Sequence, residues 1–428
     1  MKIGIGAIVV MAFLLNSGGR AATYYVSTSG DDSDGLSWPT AKQSMGEALV
    51  LAASGDSVWV RSGTYTELVT LGFGIGLYGG FEGTEGPSEF SLRDPATKIT
   101  VIDGRIADAT GDTNGCGNPF SSFKGATVDA FPGSVLDGFT VYGGHCGAYI
   151  ADANNWGRTT LVPVRIENCR ILAFGETDLS YAILLNRANC YIQRSYIKRV
   201  MLEGVSASCI STSGGLTFEL RCENCVISYD IRPSSLDDPS LEPFYPSQAI
   251  FSSVLRVWLT NCSLYRSPGS DVLSFRISDG FDQTLNHFII TNTIITGGID
   301  EAGFGSEIQL LRPDVNHSNI GGGYPGEGNI DADPLFVDPE NDDFRLLKHS
   351  PCIDTGTTVA LTEDIEGNPR PRDIPGVGHD GEGAYDMGAY EFQRPFRNSL
   401  SDINWDGEVD ARDLYLLIQD WHKVSDTQ

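Results

Sequence analysis

The sequence predicts an all-β protein built as a parallel β-solenoid, in which short strands coil repeatedly round one long core. Three observations support this fold class. An Asn-Cys pair or a close variant recurs inside apolar runs, at spacings of 26, 30, 37 and 31 residues. The alternation of inward and outward residues breaks at these pairs. Glycine accounts for 50 of the 428 residues, which favours structure rich in tight turns.

The repeated segments share an apolar run with a polar residue at its centre. They read RIENCRI (165–171), RCENCVI (221–227), VWLTNCSL (257–264) and FIITNTII (288–295). Repetition at this period indicates stacked supersecondary units. The residues at the central position are Asn168, Arg194, Asn224, Asn261 and Asn292, with Gly138 and His317 extending the series at its two ends.

The parity of each segment indicates a bend at the central residue. Val164, Ile166 and Asn168 alternate on one face, as a strand requires. Cys169 and Ile171 then continue that face, although Asn168 and Cys169 are adjacent. Asn tolerates the left-handed conformation better than other non-glycine residues. We therefore expect a corner at each Asn, whose amide can bond to the same amide in the next coil.

A third strand fits upstream of each pair, which gives three strands per coil. The outward positions of these strands carry mostly hydroxyl and amide groups, with no acidic cluster. The candidate strands are 182–185, 209–211, 248–252, 272–277 and 307–311.

The nine cysteines allow several interpretations. Cys116 and Cys146 lie in glycine-rich sequence and are the best candidates for a disulfide. The CxxC pair at 222–225 could hold zinc, but no second pair and no histidine cluster accompanies it. Because the cysteines of the repeats follow the corner residue on the inward side, we expect Cys169, Cys225 and Cys262 to form a buried stack of free thiols.

The first 22 residues are predicted to be a secretory signal peptide. Lys2 precedes an apolar run at 3–15, and small residues at 17–22 offer a cleavage site. The apolar run is too short for a comfortable membrane span, and no second candidate span follows. We therefore expect a soluble mature chain that is secreted or held at the cell surface.

A short helix is predicted near the start of the mature chain. Thr40 and Gln43 fit a capping box. An apolar stripe at helical spacing follows, and a helix there would cover the open first coil, whose strand edge would otherwise invite pairing. The segment DSVWVR (56–61) is then expected to be the first strand, with Val58 and Val60 inward. The stripe consists of Ala41, Met45, Ala48, Leu49 and Ala52.

Taken together, the chain resembles the pectate-lyase-like β-helix proteins. The phrases that carry the resemblance are TYYVSTSGDDSDG (23–35), the Asn-Cys repeats, NIDADPLFVDPENDDFRLL (329–347) and DIEGNPRP (364–371) with YDMGAYEF (385–392). The resemblance implies a right-handed parallel β-helix over residues 23–393, with asparagine ladders at its corners. Secreted bacterial proteins with such terminal phrases often carry a C-terminal sorting or anchoring module.

The tail, residues 394–428, contains a predicted calcium loop. Its pattern D-x-N-x-D-G-x-V-D-x-x-D matches an EF-hand-type loop, in which oxygen ligands surround Ca²⁺. An apolar helical stripe follows, so the tail resembles half of a dockerin, which normally has two such repeats. The resemblance implies a cohesin-like or cell-surface partner. Because only one repeat is present, two interpretations stay open: a half-module for attachment, or a truncated end. The predicted ligands are Asp402, Asn404, Asp406, Glu408, Asp410 and Asp413.

Charge limits the classes of partner. The formal net charge is −27 and the pI about 4.4, which argues against binding DNA or RNA through their phosphates. An acidic polysaccharide would have to be held by local cationic patches or bridging metal ions. A polysaccharide partner remains compatible with the fold.

Two sets of residues are candidates for catalysis. Arg194 places a charge where the repeat has an amide, and Lys198 follows it; the alternative is a corner that lets the arginine reach solvent. Asp271 and Glu307 each precede the third strand of a coil, with Arg276 nearby, and stacked coils would place the two carboxylates roughly 5 Å apart. Turn capping is the alternative for these carboxylates.

Two function classes stay open at this point. The first is a secreted polysaccharide lyase, which abstracts a proton α to a uronate carboxyl and eliminates the glycosidic oxygen. The second is a non-catalytic glycan-binding or surface structural protein, retained through its C-terminal module. The fold alone does not separate them, because one fold hosts many functions.

Overall fold

Three parallel sheets form the body of the molecule. The residues that the computed structural model describes are 21–105, 126–143, 146–151, 162–174, 181–186, 188–202, 208–213, 218–232, 248–251, 255–266, 275–276, 287–299, 313–374, 376–379 and 385–393. In this part of the chain the only α-helix is α1 (Met45–Leu51). No helix in the same part is long and apolar enough to cross a membrane.

The strands are short and follow one another closely. In chain order they are β1 (Thr23–Val26), β2 (Ser57–Arg61), β3 (Gly63–Tyr65), β4 (Val69–Leu71), β5 (Gly76–Phe81), β6 (Thr100–Asp103), β7 (Ala126–Ala130), β8 (Val135–Asp137), β9 (Phe139–Gly143), β10 (Cys146–Ala151), β11 (Val164–Glu167), β12 (Arg170–Phe174), β13 (Tyr181–Asn186), β14 (Cys190–Gln193), β15 (Tyr196–Leu202), β16 (Ser208–Ser213), β17 (Phe218–Glu223), β18 (Val226–Arg232), β19 (Gln248–Phe251), β20 (Leu255–Thr260), β21 (Ser263–Arg266), β22 (Phe275–Arg276), β23 (His287–Thr291), β24 (Ile294–Ile295), β25 (Asp314–Asn316), β26 (Asn319–Ile320), β27 (Phe336–Asp338) and β28 (Asp343–Leu346).

Successive strands of a coil join different sheets, so each sheet is a stack of parallel strands. Sheet A has the order β1-β2-β5-β8-β11-β14-β17-β20-β23-β25, sheet B is β3-β6-β9-β12-β15-β18-β21-β24-β26, and sheet C is β4-β7-β10-β13-β16-β19-β22. Only β27 and β28 pair antiparallel among the described strands. The arrangement is a parallel β-helix, as predicted; its right-handed sense stays a prediction.

The predicted third strands form sheet C. Residues 182–185, 209–211 and 248–251 lie in β13, β16 and β19. Of the candidate at 272–277, only Phe275–Arg276 is a described strand. The candidate at 307–311 lies outside the described residues.

The corners between sheets A and B have the predicted left-handed backbone. Asn168, Asn224, Asn261 and Asn292 all have φ of 51°. The exceptions in the series adopt the same conformation: φ is 46° at Arg194 and His317 and 84° at Gly138. We call these seven residues the corner column.

A second column, directly after the corners, is buried. Six of its seven members are small: Cys169, Ser195, Cys225, Cys262, Thr293 and Ser318. The seventh, Phe139 after Gly138, is large. A hydroxyl in this column can accept a hydrogen bond from the backbone N–H of the neighbouring coil's column residue. Ser195 Oγ, for example, accepts from the Cys169 N–H at 3.1 Å. All three cysteines in the column are free and buried, which confirms the predicted stack of thiols.

Two further cysteines carry predictions, Cys222 and Cys146. Cys222, in β17, is free and buried, like its CxxC partner Cys225 in the column. Cys146 is in a disulfide. Its predicted partner, Cys116, lies outside the described residues.

The structure corrects the predicted start of the N-terminal helix. Helix α1 begins after Ser44, whose Oγ accepts from the Glu47 N–H at 3.2 Å, so the capping box is Ser44/Glu47 and not Thr40/Gln43. Glu67 decides this start, because its carboxylate accepts the N–H groups of both Met45 and Gly46 at 2.9 Å.

The apolar stripe of the helix and the position of the first strand also differ from the predictions. Ala41 precedes α1, although it is buried. Met45, Ala48 and Leu49 are the buried face of the helix, which packs against β1, β2 and β4. The first strand of the solenoid is β1, which pairs with β2; the segment with Val58 and Val60, both fully buried, is the second.

The chain after the solenoid returns along its side. The hairpin β27–β28 leads into residues 347–393, which we call the C-terminal segment. Phe336, Phe344 and Met387 form a second apolar cluster with Tyr196 and Ile294 of sheet B. The segment therefore has a hydrophobic anchor on the outer face of that sheet.

Replacement of Asn261 tests the corner conformation. Asn261 is fully buried, and its Nδ2 donates to the Asp386 carbonyl at 2.9 Å. We expect Asn261→Ala to lose about 1–2 kcal/mol from the left-handed backbone and about 1–3 kcal/mol from the unpaired carbonyl. Asn261→Gly should lose only the second contribution. The measurement is urea unfolding, with the exposed Asn341→Ala as control; equal losses in the two Asn261 variants would show that the conformation carries no cost.

Thiol labelling tests the buried column. Burial raises the pKa of the Cys169 thiol to about 12, and it raises those of Cys225 and Cys262 as well. Since the thiolate is the reactive form, we expect no alkylation of these three residues by iodoacetamide at pH 8 in the native protein. Full alkylation should follow unfolding, as read by peptide mass spectrometry. Rapid labelling of Cys225 in the native state would contradict the burial of the column.

Candidate functional site

The asparagine corners bind the C-terminal segment more than they bind one another. Amide-to-amide bonding was expected along the column, yet among described residues it occurs only from Asn292 Nδ2 to Asn261 Oδ1, at 3.3 Å. The Asn168 amide instead donates from Nδ2 to Asp137 Oδ1 at 2.7 Å, within the solenoid. Further amide contacts reach backbone groups of the segment. They are Asn224 Nδ2 to Glu363 O at 2.6 Å, Asn261 Nδ2 to Asp386 O at 2.9 Å, Asn292 Nδ2 to Thr357 O at 2.7 Å, and Thr357 N to Asn292 Oδ1 at 2.7 Å.

A buried polar network holds the segment against the column. Arg370 is almost fully buried; its Nε lies 2.9 Å from Glu391 Oε2, and Nη1 donates to Asn224 Oδ1 at 3.1 Å. Asp364 and Asp386 are buried nearby and accept backbone N–H groups of the segment. Burial raises the pKa of Asp386 and of Glu391, since one guanidinium faces several carboxylates in a dry site.

Arg194 lies at the end of the stretch of the corner column that the C-terminal segment covers. Its Nε donates to Asn168 Oδ1 at 3.0 Å, which is the bond an asparagine would make. Its Nη1 forms an ion pair with Glu363 at 2.8 Å. The side chain is 29% exposed, so the arginine both continues the column and reaches the surface.

An open cleft of about 700 Å³ lies immediately beyond Arg194. One side is the corner column and sheet B, and another is the C-terminal segment. The third side is the insertion between β5 and β6, which includes a 3₁₀ turn at Phe90–Leu92. The residues that line the cleft include Arg93, Asp94, Pro95, Ile99, Phe139, Thr140, Asn168, Arg170, Arg194, Tyr196, Ile365, Glu366, Gly367 and Tyr390.

The most exposed cation of the cleft is Arg170. Its guanidinium carbon lies 4.3 Å from the ring centre of Tyr196, a cation–π contact that holds the side chain flat. The side chain is 47% exposed, and Nη2 is 3.7 Å from Asp342 Oδ2. Arg93, by contrast, is nearly buried and forms an ion pair with Asp137. Arg170 can therefore offer N–H donors to a ligand.

Two further polar groups come from the C-terminal segment. Glu366 is exposed, and partial desolvation followed by the charge of Asp364 raises the pKa of its carboxyl. Burial likewise raises the pKa of the Tyr390 hydroxyl. The cleft thus combines guanidinium donors, tyrosine rings and a carboxyl acceptor.

Of the other predicted catalytic residues, Lys198 does not line this cleft, and Arg276 lies in a different sheet. Lys198 Nζ lies 2.5 Å from Asp342 Oδ1 and 3.9 Å from Asp230 Oδ2, and Lys198 is not among the residues that line the cleft. Arg276 pairs with Phe251 in sheet C, away from the column. Asp271 and Glu307 lie outside the described residues, as does the whole predicted calcium loop, 402–413.

The outer face of sheet C carries one ionisable group that the sequence did not single out. Asp129 is the register neighbour of Tyr149, whose hydroxyl accepts from Asn186 Nδ2 at 2.8 Å. Oδ1 of Asp129 is buried and has no hydrogen-bond partner among the described residues. Desolvation raises the pKa of this carboxyl to about 7.

Three residues of the candidate site and its supporting network were not singled out from the sequence: Arg170, Tyr196 and Arg370. Arg170 and Tyr196 each follow a corner by two residues, at positions that pair across coils (Arg170 with Tyr196). A reading of that outward row would have placed a guanidinium over a ring. Nothing local marks Arg370, because its partners are 146 and 18 residues away in the chain.

Comparison with known proteins gives a likeness to solved structures only. No protein-family profile matches the sequence, and no curated protein matches it. The solved structures that it is similar to include a pectate lyase, Pel9A (12% identity, 88% of this chain and 97% of that chain, TM-score 0.42), a pectin methylesterase from Aspergillus niger (16% identity, 74% and 91%, TM-score 0.39) and the pectin methylesterase PemA from Erwinia chrysanthemi (13% identity, 74% and 94%, TM-score 0.35). At such values the chemistry must be argued from this chain's own residues.

Asp129 makes stability depend on pH in a defined direction. Its pKa is about 7 in the folded state and about 4 when unfolded, so the folded state holds the extra proton between these values. Its contribution to stability is therefore full below about pH 4 and is lost as the pH rises towards about 7. We expect Asp129→Asn to be more stable than wild type at pH 8, by about 1–3 kcal/mol, and equal to it near pH 4.

The measurement is chemical unfolding across this pH range. The exposed Asp373→Asn serves as the matched control and should follow the wild-type profile. An Asp129→Asn profile parallel to wild type would show that this carboxyl is not desolvated.

Proposed function

We propose that the protein is an extracellular polysaccharide-directed β-helix protein whose glycan binds in the cleft beyond Arg194. The observation that carries the proposal is the pairing of an exposed guanidinium with a tyrosine ring at Arg170 and Tyr196. Sugars offer hydroxyl and carboxylate oxygens to such N–H donors. The Tyr196 ring is itself only 4% exposed, so its part is to hold the guanidinium at the cleft and not to stack on the sugar. A cleft of this size suits a few sugar units.

An acidic sugar fits the cleft better than a neutral one. Guanidinium groups recognise carboxylates through two parallel N–H···O bonds, and Arg170 and Arg194 both line the cleft. The protein as a whole carries a formal charge of −27, so an acidic glycan would depend on these arginines. Arg170 is the less tightly paired of the two, because Nη2 lies 3.7 Å from Asp342 whereas Arg194 lies 2.8 Å from Glu363. The expected partner is an acidic polysaccharide.

Lyase activity is the second candidate, favoured by the same arginines. In β-elimination a base removes the proton α to the uronate carboxyl, the C–O bond to the leaving sugar breaks, and the leaving oxygen gains a proton. Guanidinium groups would stabilise the carboxylate as negative charge develops on it. The alternative is a glycan-binding protein without catalysis, retained at the cell surface through residues 394–428 and their calcium loop.

A glycan panel tests the proposal. Polygalacturonate, alginate and a neutral glucan would be run in affinity gels with the full chain, with and without Ca²⁺. We expect retardation by an acidic polymer and little by the neutral one. We expect Arg170→Ala to weaken that binding about 10- to 100-fold, because a charge-assisted hydrogen bond is lost.

Arg165→Ala is the matched control. Arg165 is as exposed as Arg170, at 54% against 47%, and pairs with Glu167 on sheet A outside the cleft. Equal loss in both variants, or retention by Arg170→Ala, would remove the cleft as the binding site. Absorbance of the unsaturated product separates the two candidates: its appearance establishes a lyase, and binding without it establishes a non-catalytic binder.

A further inference from the structure

The cleft has walls of two different origins. The solenoid contributes Arg170 and Tyr196 from sheet B, which its own core holds in place. The facing wall consists of Ile365, Glu366, Gly367 and Tyr390. These residues belong to the C-terminal segment, which takes part in none of the three parallel sheets.

The facing wall is held by contacts outside the cleft. Asp364 is the link, since its carboxylate accepts the N–H groups of Glu366 and Asn368 at 2.9 and 2.8 Å. Its other oxygen accepts from the Glu391 N–H at 3.0 Å. Glu391 in turn forms the buried ion pair with Arg370. The loop that lines the cleft is therefore fixed through this ion pair.

Arg370 connects the loop to the solenoid. Besides Glu391, its guanidinium donates to Asn224 Oδ1 at 3.1 Å and to the Gly388 carbonyl at 3.1 Å. Asn224 also donates to the Glu363 carbonyl at 2.6 Å. One guanidinium thus joins a corner of the column to both chain stretches that form the wall, although Arg370 does not line the cleft.

A second tether lies at the cleft itself. Arg194 bonds to Asn168 on one side and to Glu363 on the other. The arginine in the corner column therefore joins the solenoid wall to the segment wall at their junction. Undocking of the segment would break this pair and separate the two walls.

We infer that the glycan site is composite: the docked C-terminal segment completes it, and Arg370 is its positioning residue. The inference rests on the proposed function and adds how that site is assembled. Binding and docking are then linked, so a glycan that contacts both walls must stabilise the docked segment by the same factor by which docking strengthens glycan binding.

Variants of Arg370 test the assembly in the full chain. The probe is whichever acidic polymer the wild type binds, and docking is read by limited proteolysis within 347–393. We expect Arg370→Met, which leaves Glu391 buried without its partner, to weaken glycan binding at least tenfold and to speed cleavage in the segment. Arg370→Lys should recover part of both. Arg372→Ala is the control, because the side chain of Arg372 contacts Gln393 and not the column.

The linkage between glycan binding and docking of the segment supplies a second readout. This readout would not change if Arg370 only stabilised the fold. Glycan at a concentration that saturates the wild type but lies well below the dissociation constant of Arg170→Ala should slow cleavage of the wild-type segment several-fold and protect Arg170→Ala much less. Should Arg370→Met fail to fold, Glu363→Ala replaces it, since Glu363 is 51% exposed and lies outside the core. Glu363→Ala should weaken binding about threefold, by loss of one exposed ion pair.

The outcomes separate the two proposals. A wild type that binds no acidic polymer overturns the proposed function and the inference with it. A wild type that binds, while Arg370→Met or Glu363→Ala binds equally well with an undocked segment, overturns the inference alone. Glycan binding that does not slow cleavage of the wild-type segment also overturns the inference alone.

Discussion

The structure depends on one backbone constraint, the left-handed residue at the seven corners between sheets A and B from β8 onwards. A right-handed or extended residue there would send the next strand in the wrong direction and would break the register of all later coils. Asparagine, glycine, one arginine and one histidine meet the requirement with φ between 46° and 84°. Asparagine is the commonest because its short polar side chain reduces the cost of this conformation for an L-residue.

The corner has a second consequence, which concerns polar groups. Each left-handed asparagine points its side chain away from the core and leaves an amide at the outside of the solenoid. Stacked coils bring these amides into a line, and a line of unpaired donors is a natural docking strip for irregular backbone. Residues 347–393 occupy that strip, with Asn224, Asn261 and Asn292 donating to its carbonyls.

The buried charges follow from this docking. Arg370 and Glu391 are both fully enclosed, and a pair of this kind is held more by its specific geometry than by net electrostatic gain. Its value here is to fix where the segment lies on the column. The cleft beyond Arg194 exists because the segment stops there, so that the uncovered part of the column lies between the segment and the insertion before β6.

The sequence alone determined the repeat, the corners and the buried thiols, because these depend on local parity and on the conformational preference of single residues. It also identified Arg194 as an exception within the column. It placed the helix start wrongly, since the patterns at 40–43 and 44–47 both fit a capping box and a tertiary contact from Glu67 selects the second. Only the tertiary structure decided the path of the C-terminal segment, the role of Arg370 and the presence of the cleft. These rest on contacts between residues more than a hundred positions apart, and no local pattern in the sequence records such contacts.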